Sequence, residues 1–178
     1  MRALVEAGLL RAITVPSTPV LALEGPVFAW SPGDPAPNFD TVAYALQTRW
    51  GDADEQPTRA YAATFKAAAS FGGRGRNRYT RLEQATHDLH VTELYIRIRQ
   101  EEPEIANHWV GEDLIAPELE RFEKLADAEI RDGDQTLLYL EFGGRYGARE
   151  VRKKHEFFSG EPLRPGGPRR TPAPYEIW

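Results

Sequence analysis

The chain has 178 residues, 41% of them hydrophobic and 11% aromatic, enough for one ordinary domain or two small ones with a real core. The absence of cysteine excludes a disulfide scaffold, a thiolate zinc site and a cysteine nucleophile, and it fits a reducing compartment. The apolar runs are far shorter than a bilayer span and Met1 leads into no signal-like core, so a cytoplasmic protein with no membrane partner is expected.

A net charge of −5 argues against a surface that coats nucleic acid throughout, but its distribution says more. Residues 101–134 carry twelve acids against three bases, whereas residues 145–170 carry eight bases against three acids. Arg74, Arg76, Arg78 and Arg81 form another basic knot. Such patches grip phosphates even in an acidic chain. Solvated, salt-bridged surface is the competing reading of each.

In chain order, residues 1–10 read as a short helix ending near Gly8, with Leu4, Val5, Leu9 and Leu10 as its apolar face. Three β-like runs follow at 10–15, 20–23 and 26–30, split by Pro16–Pro19 and by Glu24–Gly25. After a Pro-rich break at 31–37, the pattern predicts a helix over Val42–Trp50 and an alanine-rich one from Pro57 to about Ser70. Phe71–Asn77 is a basic Gly/Arg loop and marks a boundary. Thr80, with Glu83 three residues on, forms a capping box for a long helix reaching Gln100. Strands are expected at His108–Gly111, Lys124–Ile130 and Thr136–Phe142, the last two joined by a turn at Asp132-Gly133.

That hairpin should place Leu137 and Tyr139 on one face, covered by the long helix or the N-terminal part, with Leu138 and Leu140 on the other. A final helix over Ala148–Phe158 should turn Val151, His155 and Phe158 inward and leave Arg149, Arg152 and Lys153 solvated. From Ser159 onward Pro, Gly and Arg predict irregular chain.

The acids carry the chemistry. Asp127 falls in one hairpin strand and Glu141 ends the apolar run of the other, where a carboxylate is unusual unless solvated or bound. Two carboxylates on adjacent antiparallel strands converge readily on Mg²⁺, a hard cation that takes oxygen ligands. Glu93, beside the Leu89/Ile96 face of the long helix, is the candidate third ligand. Lys154 flanks the Val151/Phe158 stripe and has the reach to bring its ammonium to the carboxylates. The competing reading makes Asp127 a strand-end ion pair and Glu141 a partner of Arg145 or Arg149. His87 and His90, one turn apart, have metal-binding spacing, yet two imidazoles alone favour surface or packing roles. Arg74, Arg76 and Arg78, interleaved with Gly and Asn, either track a phosphate backbone or form a solvated loop. Phe71, Tyr79 and Trp109 read as core or loop anchors. Gly72-Gly73-Arg74-Gly75 is no nucleotide fingerprint, having neither a strand before it nor a Lys-Ser/Thr after it.

The order helix, strand, hairpin, helix resembles the restriction-endonuclease-like fold, whose centre is an Asp followed about a dozen residues later by Glu-x-Lys. More narrowly, Thr86–Phe158 resembles the replication-relaxation family, bacterial proteins linked to plasmid replication and mobilisation. The matching pieces are His87-Asp88-Leu89-His90-Val91, Leu125-Ala126-Asp127-Ala128, Leu140-Glu141-Phe142 and the basic helix Arg149…Arg152-Lys153-Lys154. Residues 2–30 look like the closing helix and wing of the winged-helix unit that usually precedes them.

The resemblance implies an α+β chain: a partial winged-helix-like unit (1–40), a helical linker with the basic loop (41–79), a restriction-endonuclease-like unit (80–160) and a Pro/Gly/Arg-rich tail (161–178). It implies DNA as the partner in plasmid or mobile-element replication, bound through the wing and Arg74, Arg76, Arg78 and Arg81. An active centre would use Mg²⁺ held by Asp127, Glu141 and Glu93, with Lys153 or Lys154 steadying charge at phosphorus.

Departures from the pattern favour a degenerate, non-cleaving relative or a product shortened at its start. Gly143 stands where the motif lysine belongs, Ala126 where the family has Pro, and the helices expected before a wing are absent ahead of Met1. The strand that should follow the last helix is missing or formed only by Tyr175–Trp178. The alternative from another class is a non-catalytic interaction module, docking a protein partner or a second copy through a sheet edge and the tail. A small-molecule enzyme ranks last, with no phosphate loop or nucleophile signature in its favour.

Overall fold

The computed structural model describes residues 1–70, 84–116, 126–162 and 171–178, and has the α+β architecture expected. The described elements are α1 (Arg2–Glu6), β1 (Leu10–Ser17), β2 (Phe28–Trp30), α2 (Phe39–Thr48), β3 (Gln56–Ala63), α3 (Phe65–Ser70), α4 (Ala85–Glu101), α5 (Pro103–Ala106), β4 (Trp109–Gly111), α6 (Glu112–Ile115), β5 (Ala128–Asp132), β6 (Gln135–Glu141), α7 (Ala148–Phe158) and β7 (Tyr175–Ile177). Among the described residues no helix is long and apolar enough to cross a membrane. The chain divides into two units, each made of two segments: Met1–Val20 with Asp52–Leu89, and Leu21–Gly51 with His90–Trp178.

The first unit is built on an antiparallel ribbon of β1 and β3, paired from Leu10↔Ala63 to Ser17↔Gln56. This corrects the alanine-rich helix expected from Pro57. Residues 56–63 alternate, with Thr58, Ala60 and Ala62 half-buried and Pro57, Arg59, Tyr61 and Ala63 exposed. That period-two pattern answers the one in β1, where Val15 and Ser17 are buried. Eight paired residues outweigh alanine's helix preference, which is only about 0.5 kcal/mol per residue over its competitors. Helix starts only after Thr64, whose Oγ1 accepts from the Ala67 amide at 3.2 Å as an N-cap. β2 pairs not with β1 but with β7, and residues 20–23 are irregular rather than a strand. The capping box at Thr80 and Glu83 lies outside the described residues, as do Phe71 and Tyr79.

The second unit holds a five-stranded sheet in the order β2-β7-β6-β5-β4. β4, β5 and β6 form an antiparallel meander, and α7 carries the chain over to β7, which runs parallel to β6. The hairpin turns where expected: Asp132 pairs with Gln135, and Gly133 takes φ +57°, a left-handed conformation that glycine adopts without a steric penalty. Leu138 and Leu140 pack with Leu94 and Ile98 of α4 and with Trp50 and Phe142. Tyr139, on the opposite face, packs with Val151, Phe157 and Phe158 of α7 and with Leu46 of α2. The cover of this face is thus α7 and α2 rather than the long helix, which takes the other side. α7 has the expected bounds and phase, with Val151, His155 and Phe158 buried and Arg149, Arg152 and Lys153 exposed. Asn38 caps α2 through a 3.0 Å bond from the Thr41 amide. Residues 175–177, which composition leaves irregular, form β7 in the interior of the sheet.

Candidate functional site

Glu141 is the last residue of β6, on the same face as Tyr139 and so beneath α7. It has no exposed surface. Lys154 reaches down from α7 and sets Nζ 2.7 Å from each carboxylate oxygen. Tyr146, in the loop between β6 and α7, donates its hydroxyl to Oε1 at 2.6 Å. Asp127 sits just before β5, nearly buried, and its Oδ2 accepts the Phe142 amide at 2.7 Å. That bond ties the start of one hairpin strand to the end of the other.

Burial raises the Glu141 pKa to about 7, and the negative charge of Asp127 pushes the same way. Lys154 and the Tyr146 hydrogen bond oppose the rise without cancelling it. Burial and the charge of Glu141 drive the Tyr146 phenol upward in turn, so it stays a donor.

The structure therefore brings Asp127, Glu141 and Lys154 together. Lys153 is exposed on α7, and Glu93 is exposed on α4, whose buried residues face the other side of the sheet. Arg74, Arg76, Arg78 and Arg81 lie outside the described residues. Glu141 takes Lys154 and Tyr146 as partners where Arg145 or Arg149 had been the alternative; Arg145 lies over the Trp50 ring at 5.3 Å.

Position 143, where the expected pattern would place a lysine, is sterically closed. A Cβ at Gly143 would fall 2.7 Å from Ile177 Cγ2 and 2.8 Å from the Leu46 methyl groups, so any side chain there meets packed core. The lysine that meets the acid comes from the helix instead.

A Mg²⁺ ion needs open oxygen ligands and usually keeps several waters. Here both Glu141 oxygens are engaged by Lys154 and Tyr146 in a space closed to solvent, and Glu93 faces elsewhere, so this donor set as arranged does not fit the ion. Among the described residues no group of three or more His, Asp or Glu side chains is placed to hold a metal.

Of the two histidines one turn apart on α4, His90 packs in the interior while His87 stays at the partly exposed surface. His90 is fully buried, its Nε2 accepts the Leu21 amide at 3.0 Å, and its ring stacks on Phe142 at 4.5 Å. His87 is half-buried beside Asp88. Trp109 is half-buried, edge-on to Tyr95, and lines a surface cleft of about 490 Å³ with Arg99 and Asn107, none of the acids taking part.

Sequence reasoning missed Tyr146 and the closure around Gly143. The dipeptide Gly143-Gly144 was the available signal, since paired glycines often mark a close backbone approach. Buried Glu129 was missed as well; it accepts from Arg131 Nε and Thr136 Oγ1, both at 2.7 Å, as a structural ion pair. In comparisons with known proteins, no family model, no curated protein and no solved structure matches the chain.

Proposed function

We propose that this chain is a DNA-associated cytoplasmic protein of plasmid or mobile-element maintenance that binds DNA and does not cut it. The observation that carries the reading is the closed Asp127–Glu141–Lys154 cluster. An Asp, a Glu fourteen residues later and a Lys meet at the ends of an antiparallel hairpin, yet the Glu has no exposed surface and no free oxygen. The order α4, α5, β4, α6, β5, β6, α7, β7 supports a nuclease-like unit, with the strand after the last helix and two single-turn helices, α5 and α6, on either side of β4. A short helix α1 leading into the β1–β3 ribbon supports a winged-helix-like element.

Charge supports the choice of ligand. The first unit carries eight Lys or Arg against six Asp or Glu, the second fourteen against twenty-one, so the −5 of the whole chain is a net +2 and a net −7. The exposed cations Arg145, Arg149, Arg152 and Lys153 add a local basic run to the second unit.

The test is binding of a labelled duplex by the full chain across a salt series. Affinity should fall steeply with salt, and replacing Arg74, Arg76 and Arg78 by Ala should flatten the log–log slope by roughly 0.9 per lost phosphate contact. Absent or salt-insensitive binding refutes the reading. Robust Mg²⁺-dependent cleavage refutes its non-cleaving half.

A second reading, an interaction module for a protein partner, is favoured by Tyr44 and Phe65, which are 70% and 72% exposed on α2 and α3. Size-exclusion chromatography of the protein alone and mixed with DNA separates the two.

A further inference from the structure

We propose that the Lys154 ammonium is the resident cation of the Asp127–Glu141 pair, and that the pair admits no divalent metal while Lys154 holds that place. The geometry is that of an occupied cation site. Nζ is 2.7 Å from both Glu141 oxygens, the lysine side chain is only 15% exposed, and Nζ lies over the Phe158 ring, 5.9 Å from its centroid. The Tyr146 hydroxyl takes a further lone pair of Oε1. Asp127 has Oδ2 committed to the Phe142 amide. A metal entering here has to displace a buried ammonium and a phenol hydrogen bond before it gains a ligand, and it has no exposed face of Glu141 to approach.

The steric closure at Gly143 explains why the cation arrives from α7. A lysine at 143 would point its Cβ into Leu46 and Ile177, whereas position 154 lies one helical turn before the buried Phe158 and above the end of β6. One ammonium balances only one unit of negative charge at the pair. A divalent ion would balance both. Removing the lysine charge should therefore turn a closed ion pair into a cation-seeking one. This inference concerns the cluster alone and stands whether or not DNA is the ligand.

The test is titration of the full-length protein with Mn²⁺, followed by its paramagnetic resonance signal at a pH above the Glu141 pKa. Mn²⁺ is a hard, oxygen-seeking ion suited to carboxylate ligands. The wild type is expected to leave Mn²⁺ free. Lys154→Gln keeps a hydrogen-bond donor to Glu141 but removes the charge, and it should tighten Mn²⁺ binding by roughly tenfold or more, the lower end for changes next to metal ligands. Adding Asp127→Asn to that variant should abolish the gain. Circular dichroism and a thermal melt establish that the variants are folded, and Lys154→Met, of similar volume, serves the same comparison if the glutamine variant is not. Wild-type Mn²⁺ binding that Asp127→Asn removes would overturn the proposal. So would a folded lysine variant that binds Mn²⁺ no better than wild type.

Discussion

The two units differ in how they are held together. In the first, the ribbon of β1 and β3 keeps one face exposed, and its described buried side chains are few and small: Val15, Ser17, Thr18, Ala67 and Ala85. In the second, both faces of the sheet are covered, and Leu46, Leu94, Leu140, Phe142, Phe158, Tyr175 and Ile177 are almost wholly buried. Apolar burial contributes roughly 25 cal/mol per Å², so among the described residues the second unit carries most of the stabilisation, while the first leaves one face of its ribbon to solvent. The difference puts the ion cluster in the unit with the thicker core, where packed side chains keep water from a buried carboxylate and ammonium.

The sharpest way to break this comparison is a pair of truncations. Phe158→Ala, in a side chain with no exposure, should cost about 4 kcal/mol in urea unfolding, whereas Val15→Ala in the ribbon should cost about 1.5 kcal/mol. Equal losses would mean that the ribbon is stabilised by more than its visible burial.

Next in size is the ion pair. Lys154→Met should cost about 3 kcal/mol above pH 7, because it strands a buried carboxylate, and less below, where Glu141 takes up a proton. The folded state raises the Glu141 pKa, so it keeps a proton that the unfolded chain has already lost. This group's contribution therefore declines as pH rises from the ordinary carboxylate range to about 7, and Glu141→Gln should remove that slope from a stability–pH curve. A slope unchanged in Glu141→Gln would assign it to another group.

Smallest of the three, Gly143→Ala should cost about 2 kcal/mol through overpacking against Leu46 and Ile177, read from the shift in unfolding midpoint. A neutral result would mean that the core there gives way more easily than its burial suggests.

Local signals were legible and long-range ones were not. Asp132-Gly133 marked the hairpin because only a few residues decide a tight turn, and the Val151/His155/Phe158 spacing set the phase of α7 because helical period is a property of eleven consecutive residues. Residues 57–63 misled because their alanines favour helix in isolation, while the partner that makes them a strand lies at 10–17. The site divides the same way. Asp127 and Glu141 were visible as acids at the ends of apolar runs, and Lys154 as a lysine flanking a buried stripe. The steric reason for Gly143 depends on Leu46 and Ile177, which no window around residue 143 contains, whereas Tyr146 lies only five residues from Glu141 and its partnership is set by the loop's path.

The place of β7 bears on how the molecule assembles. Tyr175–Ile177 lies between β2, whose residues are 28–30, and β6, so the strand that joins them is the last of the sheet to be synthesised. Joining β2 to it closes a loop of nearly the whole chain, the kind of long-range pairing that slows folding. Until it inserts, β2 has no strand partner among the described residues and β6 presents an open edge rich in leucine, a template for pairing with another chain. Refolding of this protein should therefore be limited by a slow late phase, with yield that falls as protein concentration rises.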